Sequence, residues 1–157
     1  MQENTIINLF IEVLDNSSVL VGESLKSRFY HIWKTDIQLE SLCLLLPRTT
    51  DEVSSIVKIC NDNNQELIIH GGLTNLVGST ISNKTQVVIS LEKMNRVIEV
   101  DESAKTITCE SGVIIEDIIN TVKDKNLLLP LNFGARGSAQ IGGAVSTNAG
   151  GLRVFKY

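Results

Sequence analysis

Two glycine-rich stretches are the parts of this 157-residue chain best suited to chemistry, and that chemistry is anion binding by main-chain amides. The longer stretch runs from Gly134 to Gly151 and holds six of the eleven glycines. It reads Gly134-Ala135-Arg136-Gly137-Ser138, then Ile141-Gly142-Gly143, then Thr147-Asn148-Ala149-Gly150-Gly151. Glycine is costly to order, but it lets backbone approach a ligand closely and adopt positive φ. The shorter stretch, Gly71-Gly72-Leu73-Thr74-Asn75-Leu76-Val77-Gly78-Ser79, follows a short apolar run. Two separate backbone cradles suggest a ligand with two ends, and an anionic cofactor is the first candidate.

Spacing narrows the choice. A Rossmann GxGxxG fails, because neither Gly71-Gly72 nor Gly134-x-x-Gly137 continues at the required offsets. Gly137 to Gly142 has the frame of a Walker loop, but Gly143 and Ala144 stand where Lys and Ser/Thr are needed. What remains is a pyrophosphate held by backbone N–H groups and by hydroxyls such as Thr74, Ser79 and Ser138. Cys43, Cys60 and Cys109 are odd in number and flanked by apolar residues, and His31 and His70 complete no metal-ligand spacing. They read as buried reduced thiols, with neither a metal nor thiol chemistry assigned.

Composition bounds the remaining possibilities. With 43% apolar and 20% charged residues, the chain can bury one core or two small lobes. A formal charge of −4 and the lack of a Lys/Arg cluster argue against nucleic acid as a partner. The N-terminus has no positively charged n-region, and no apolar run approaches the ~18 residues of an integral membrane segment. The expected location is cytoplasmic.

The elements that must position the cradles follow from periodicity. Ile6, Ile7, Phe10, Ile11 and Leu14 predict a first helix over residues 4–14, followed by an irregular stretch to about Glu40. An apolar run from Leu42 to Leu46 and Pro47 precede Thr49-Thr50-Asp51-Glu52, a capping box. The helix it starts should bury Val53, Ile56, Val57 and Cys60. Leu67-Ile68-Ile69 then reads as a strand delivering the chain to the first cradle, closing a β-α-β unit. Val87 to Leu91, Arg96 to Val100 and Thr106 to Glu110 predict short strands of antiparallel character, the last two forming a hairpin. Ile114, Ile115, Ile118, Ile119 and Val122 mark an amphipathic helix before the second cradle. The expected class is α+β, divided softly near residue 78.

Four segments, taken in order, carry a resemblance: Pro47-Arg48-Thr49-Thr50-Asp51-Glu52-Val53, His70 through Ser79, Ser90-Leu91-Glu92-Lys93-Met94-Asn95, and Pro130-Leu131 through Gly151-Leu152-Arg153. Together they resemble the FAD-linked oxidases of the vanillyl-alcohol oxidase superfamily, with their PCMH-type FAD-binding domain. Within it they are most similar to the FAD-dependent D-2-hydroxyacid dehydrogenases acting on D-lactate, glycolate or D-2-hydroxyglutarate. The likeness runs from about Leu42 to the last residue.

The resemblance implies two small α+β subdomains with FAD between them: a domain over 41–157, its first part about 41–78 and its second from about 79, preceded by an N-terminal helical extension over 1–40. It implies cofactor contacts from Gly71, Gly72, Leu73, Thr74, Asn75 and Leu76 on the pyrophosphate loop. It adds Gly134, Ala135, Gly137, Ser138, Ile141, Gly142, Gly143, Thr147, Asn148, Gly150 and Gly151. Leu73 and Asn75 depart from the commoner Asn/Gly and Gly; Asn tolerates the left-handed region better than other non-glycine residues. His70 is expected to be an ordinary loop histidine and not a flavin attachment point.

Family members continue beyond the position of Tyr157 with the rest of the FAD domain and a substrate domain. The resemblance therefore implies an oxidoreductase whose catalytic residues lie outside this chain, and none is expected within it. Such a chain would act with its remaining part, which could be a separately encoded C-terminal half. The alternative is a non-catalytic remnant or flavin-binding module. A cell-wall precursor reductase of the same superfamily, using NADPH, is disfavoured by the Thr147-Asn148-Ala149-Gly150-Gly151 ending.

Overall fold

A computed structural model describes residues 2–153, 155 and 156, which form two units. The division falls between Lys93 and Met94 instead of near residue 78. The reason is strand β6 (Val87–Ser90), which pairs in parallel with both β4 (Cys43–Leu45) and β5 (Leu67–His70) at the centre of the first unit's sheet. The antiparallel character expected of 87–91 is therefore absent. All four β6 residues are buried, as a central parallel strand requires.

The sheet order is β1-β4-β6-β5, with β1 (Val19–Leu20) antiparallel to β4. Alternation with period two sends Cys43, Leu45, Val87 and Ile89 to one core, where they meet Ile6, Phe10 and Leu14 of the N-terminal segment and Ile56 and Cys60. The other alternates, Leu44, Leu46 and Val88, meet Leu25, Tyr30 and Leu39. Residues 1–40 are thus more than a helical extension. Helix α1 (Gln2–Val13) packs on α2 (Thr50–Asp62), and the stretch expected to be irregular supplies β1 and a hairpin of β2 (Phe29–His31) with β3 (Lys34–Gln38).

Half of the capping box forms as expected, the Glu52 N–H donating to Thr49 Oγ1 at 3.1 Å, while the Glu52 carboxylate reaches one residue beyond the N-cap to accept from the Arg48 N–H at 2.6 Å. The face of α2 is narrower than its pattern suggests. Ile56 and Cys60 are buried, Ile59 packs beside them, and Val57 stands 46% exposed.

In the second unit β7 (Val97–Asp101) and β8 (Thr106–Cys109) form the expected antiparallel hairpin. Helix α3 (Ile115–Lys123) buries Ile115, Ile118 and Val122, and Ile114 serves as its N-cap. The second glycine stretch is not a bare loop. Ile141–Ser146 forms a short helix, α4, whose Ala144 packs with Ile115 and Ala139. Asn148, at φ +51°, ends it: the Ala149 N–H reaches the Ala144 carbonyl (2.8 Å) and the Asn148 N–H that of Val145 (3.2 Å), a Schellman closure.

Candidate functional site

The first cradle lies where parallel strands β5 and β6 end. His70 and Ser90, their last residues, are register partners, so the loop after His70 emerges at the carboxyl edge of the sheet. In α/β sheets that edge is where ligands bind.

Three of the loop's carbonyls are engaged by the protein. The Leu73 carbonyl accepts from the Ile32 N–H (3.2 Å), that of Asn75 from the Trp33 Nε1–H (3.2 Å), and that of Gly78 from the Ile81 N–H (3.1 Å). Among the described residues, however, no backbone N–H from Gly71 through Gly78 donates to a protein acceptor. Eight successive amides without protein acceptors leave donors available to an anion.

Side chains hold this shape. Asn75 Nδ2 donates to Thr80 Oγ1 (2.9 Å), and Asn75 Oδ1 accepts from the Ser79 N–H (3.2 Å). The Thr80 hydroxyl in turn donates to the Tyr30 carbonyl (2.9 Å). Asn75 therefore acts as a brace and not as the left-handed residue expected of it. That conformation falls on Leu73, at φ +56°, while Gly78 has φ +77° and no other glycine of the two stretches is in the positive region. A leucine held left-handed is strained by about 1–2 kcal/mol, and such strain gathers at ligand sites.

His70 is buried at the base. Its Nε2 lies 2.8 Å from the Thr80 carbonyl, which only accepts, so Nε2 carries the proton. Burial pulls its pKa down, against the carbonyl hydrogen bond, and the imidazole stays neutral at pH 7. Beside it is a cavity of about 120 Å³, whose lining includes Arg28, His70, Gly71, Leu73, Ser90 and Glu92. Arg28 grips Glu92 through two hydrogen bonds, 2.8 and 3.1 Å, and the Ser90 hydroxyl donates to the same carboxylate at 3.0 Å. Burial pushes the Glu92 carboxyl up, but the Arg28 hydrogen bond and charge outweigh it and hold it below its ordinary value.

The second stretch is organised differently. Most of its amides are spent within the unit: the Ser138 N–H on Ala135, Ile141 on Val113, Gly142 on Ser111, Thr147 on Gly143 and Asn148 on Val145. Gly142 and Gly151 are required by the chain's own packing, since a Cβ at 151 would stand 2.1 Å from the Asn132 carbonyl oxygen. Gly134 and Gly143 differ, with no atom within 4 Å of a built Cβ. Arg136 is engaged by Glu116 at 3.3 Å. The Ala135, Gly137 and Gly150 N–H groups have no protein acceptor among the described residues.

Sequence reasoning did not single out Arg28, Trp33 and Glu92 as site residues. Trp33 and Arg28 come from a stretch without periodicity, and only the singularity of the tryptophan marked it. As for the thiols, burial raises Cys43 to about 12, with Cys60 adding to it, and Cys60 to about 11, so both stay protonated. No helix among the described residues is long and apolar enough to cross a membrane.

Comparison with known proteins gives the family and the fold. A family described as FAD binding domain matches residues 41–157. A probable mitochondrial D-2-hydroxyglutarate dehydrogenase of Oryza sativa subsp. indica is 38% identical over 151 residues, covering 96% of this chain and 27% of that protein. A D-2-hydroxyglutarate–pyruvate transhydrogenase of Saccharomyces cerevisiae is 35% identical over 150 residues, covering 94% of this chain and 30% of its own length. The chain thus spans under a third of these relatives. Among solved structures, an alkyldihydroxyacetonephosphate synthase superposes with a TM-score of 0.84 at 17% identity, over 98% of this chain and 31% of that one. That likeness establishes a shared α+β, PCMH-type fold.

Proposed function

This chain belongs to the FAD binding domain family over residues 41–157, and from that membership we propose that its 71–78 loop holds the diphosphate of FAD. The observation that carries the reading is the run of eight amides without acceptors between Gly71 and Gly78. Gly71, Gly72, Leu73, Thr74, Asn75 and Leu76 form the cradle, with the Thr74 hydroxyl as a further donor. Gly134, Ala135, Gly137 and Ser138, then Ile141, Gly142 and Gly143, then Thr147, Asn148, Gly150 and Gly151, supply further contacts. Within that set Gly134 and Gly143 offer open backbone, whereas Gly142 and Gly151 keep the segment folded.

FAD, when bound, supplies a two-electron acceptor for hydride from the carbinol carbon of a D-2-hydroxy acid. This chain's residues bind and orient. Neutral His70 fixes Thr80 and so the far end of the loop, and the Arg28–Glu92 pair walls the cavity beneath Gly71. No general acid or base is assigned to the residues of this chain, which spans under a third of the relatives it matches. The similarity to D-2-hydroxyglutarate dehydrogenases makes D-2-hydroxyglutarate the first substrate to test.

The test has two parts. Gel filtration of the chain with FAD should leave flavin absorbance in the protein peak, and complete loss of flavin would contradict the cofactor reading. Adding D-2-hydroxyglutarate to the longer protein that carries this segment should bleach the flavin anaerobically. An unbleached, FAD-loaded protein with this and other D-2-hydroxy acids would contradict the activity while leaving the cofactor reading in place.

A further inference from the structure

The β2–β3 hairpin sets Trp33, the one tryptophan of the chain, against the loop of free amides. Its indole Nε1–H donates to the Asn75 carbonyl at 3.2 Å, so the ring is tied to the loop itself. The His31 imidazole backs one face, with centroids 4.5 Å apart and planes inclined by 16°. His31 is buried, which anchors the stack on its inner side, yet Trp33 remains 53% exposed. Among the described residues no second ring covers it. Leu76 and Val77, 81% and 86% exposed, extend the apolar surface along the loop tip. An aromatic ring backed on one side and open on the other is built to receive another planar ring.

We infer that the open face of Trp33 stacks the adenine of the dinucleotide whose diphosphate lies on residues 71–78, an assignment that rests on the diphosphate reading of that loop. Adenine fits better than the flavin ring for a reason of reach. One ribose joins adenine to the diphosphate, whereas the longer ribityl chain separates the isoalloxazine from it, and Trp33 is hydrogen-bonded directly to the cradle. The residue binds and orients; it has no part in chemistry. The hairpin of residues 29–38, outside the matched family segment of 41–157, thereby becomes part of the cofactor site.

The experiment uses the 157-residue chain with ADP and inorganic pyrophosphate as probes, read by Trp33 fluorescence and by calorimetry. ADP should quench the emission and pyrophosphate should not. Trp33→Ala should weaken ADP binding about tenfold and leave pyrophosphate binding within about twofold. Trp33→Phe, which keeps a ring, should retain most of the affinity. Trp33→Leu preserves an apolar contact with His31 without a stacking ring and carries the same expectation as alanine if the alanine variant fails to fold. Unchanged ADP and FAD affinity in Trp33→Leu would overturn the inference and leave the diphosphate reading intact. Weakened FAD with unchanged ADP would overturn the adenine assignment in favour of the flavin ring. Failure of the parent chain to bind pyrophosphate, ADP or FAD would remove both readings together.

Discussion

Gly142 lies directly on Ser111: a Cβ added at 142 would stand 2.6 Å from the Ser111 Cβ and 2.9 Å from its carbonyl oxygen, the atom to which the Gly142 N–H donates at 2.8 Å. Its neighbour Gly143 has nothing within 4 Å of the same position. The two adjacent glycines therefore serve different ends. Gly142→Ala should destabilise the chain by about 1–3 kcal/mol through overpacking. Gly143→Ala, in the same helix but facing open space, should stabilise it by about 0.5–1 kcal/mol while weakening FAD binding. Urea unfolding midpoints and FAD titrations of both variants check the pair. A Gly142→Ala chain as stable as its parent would contradict the packing role.

Much of this was legible in the sequence, and the exceptions have physical causes. Thr49-x-x-Glu52 announced α2 because a capping box is a local interaction. Val87 to Leu91 announced a strand but not its partners, since a run of buried apolar residues carries no record of which strands flank it. The 134–151 stretch looked like bare loop because six glycines mask helix propensity, yet Ala139, Ile141 and Ala144 pack on Ile115 and α4 forms by tertiary burial. Both cradles were legible as glycine patches. Which amides they leave free was not, because that depends on distant carbonyls such as those of Ser111 and Val113, which accept from the Gly142 and Ile141 N–H groups.

Leu73 holds φ +56° while its carbonyl accepts from the Ile32 N–H. Replacement by asparagine, which occupies the left-handed region at less cost, should leave stability within about 0.5 kcal/mol of the parent or raise it. Valine, branched at Cβ, should cost about 1 kcal/mol or more. Thermal unfolding of Leu73→Asn and Leu73→Val decides the matter; a valine variant more stable than the asparagine one would refute the left-handed assignment.

Glu92 has a folded pKa held below its ordinary 4.5, with Arg28 overcoming the effect of burial. A depressed carboxylate contributes stability that is complete above the unfolded pKa and is lost as pH falls through the folded one. Glu92→Gln should therefore lower stability at pH 7, by about 1 kcal/mol for a charge-assisted hydrogen bond half in solvent. The deficit should shrink as the pH falls below about 4. Denaturant titrations at pH 7 and pH 3 check this; an equal deficit at both would contradict it.

His70 is neutral in its buried place, its pKa drawn below 6.5. Protonation favours the unfolded chain, so the contribution of His70 is whole above about pH 6.5 and declines as pH drops through the lowered folded value. An NMR titration of the His70 ring should give a midpoint below that of a free imidazole, with the proton on Nε2 at pH 7. A midpoint above 6.5 would contradict the burial that outweighs the Thr80 hydrogen bond and draws the value down.

The proposed diphosphate cradle rests on the amides of Gly71 through Gly78, none of which has a protein acceptor among the described residues. Amide-resolved NMR of the chain titrated with FAD reads those groups one by one. Downfield shifts should concentrate on the 71–78 N–H groups, with those of the buried β6 strand unmoved. FAD binding that leaves residues 71–78 unshifted would contradict the cradle.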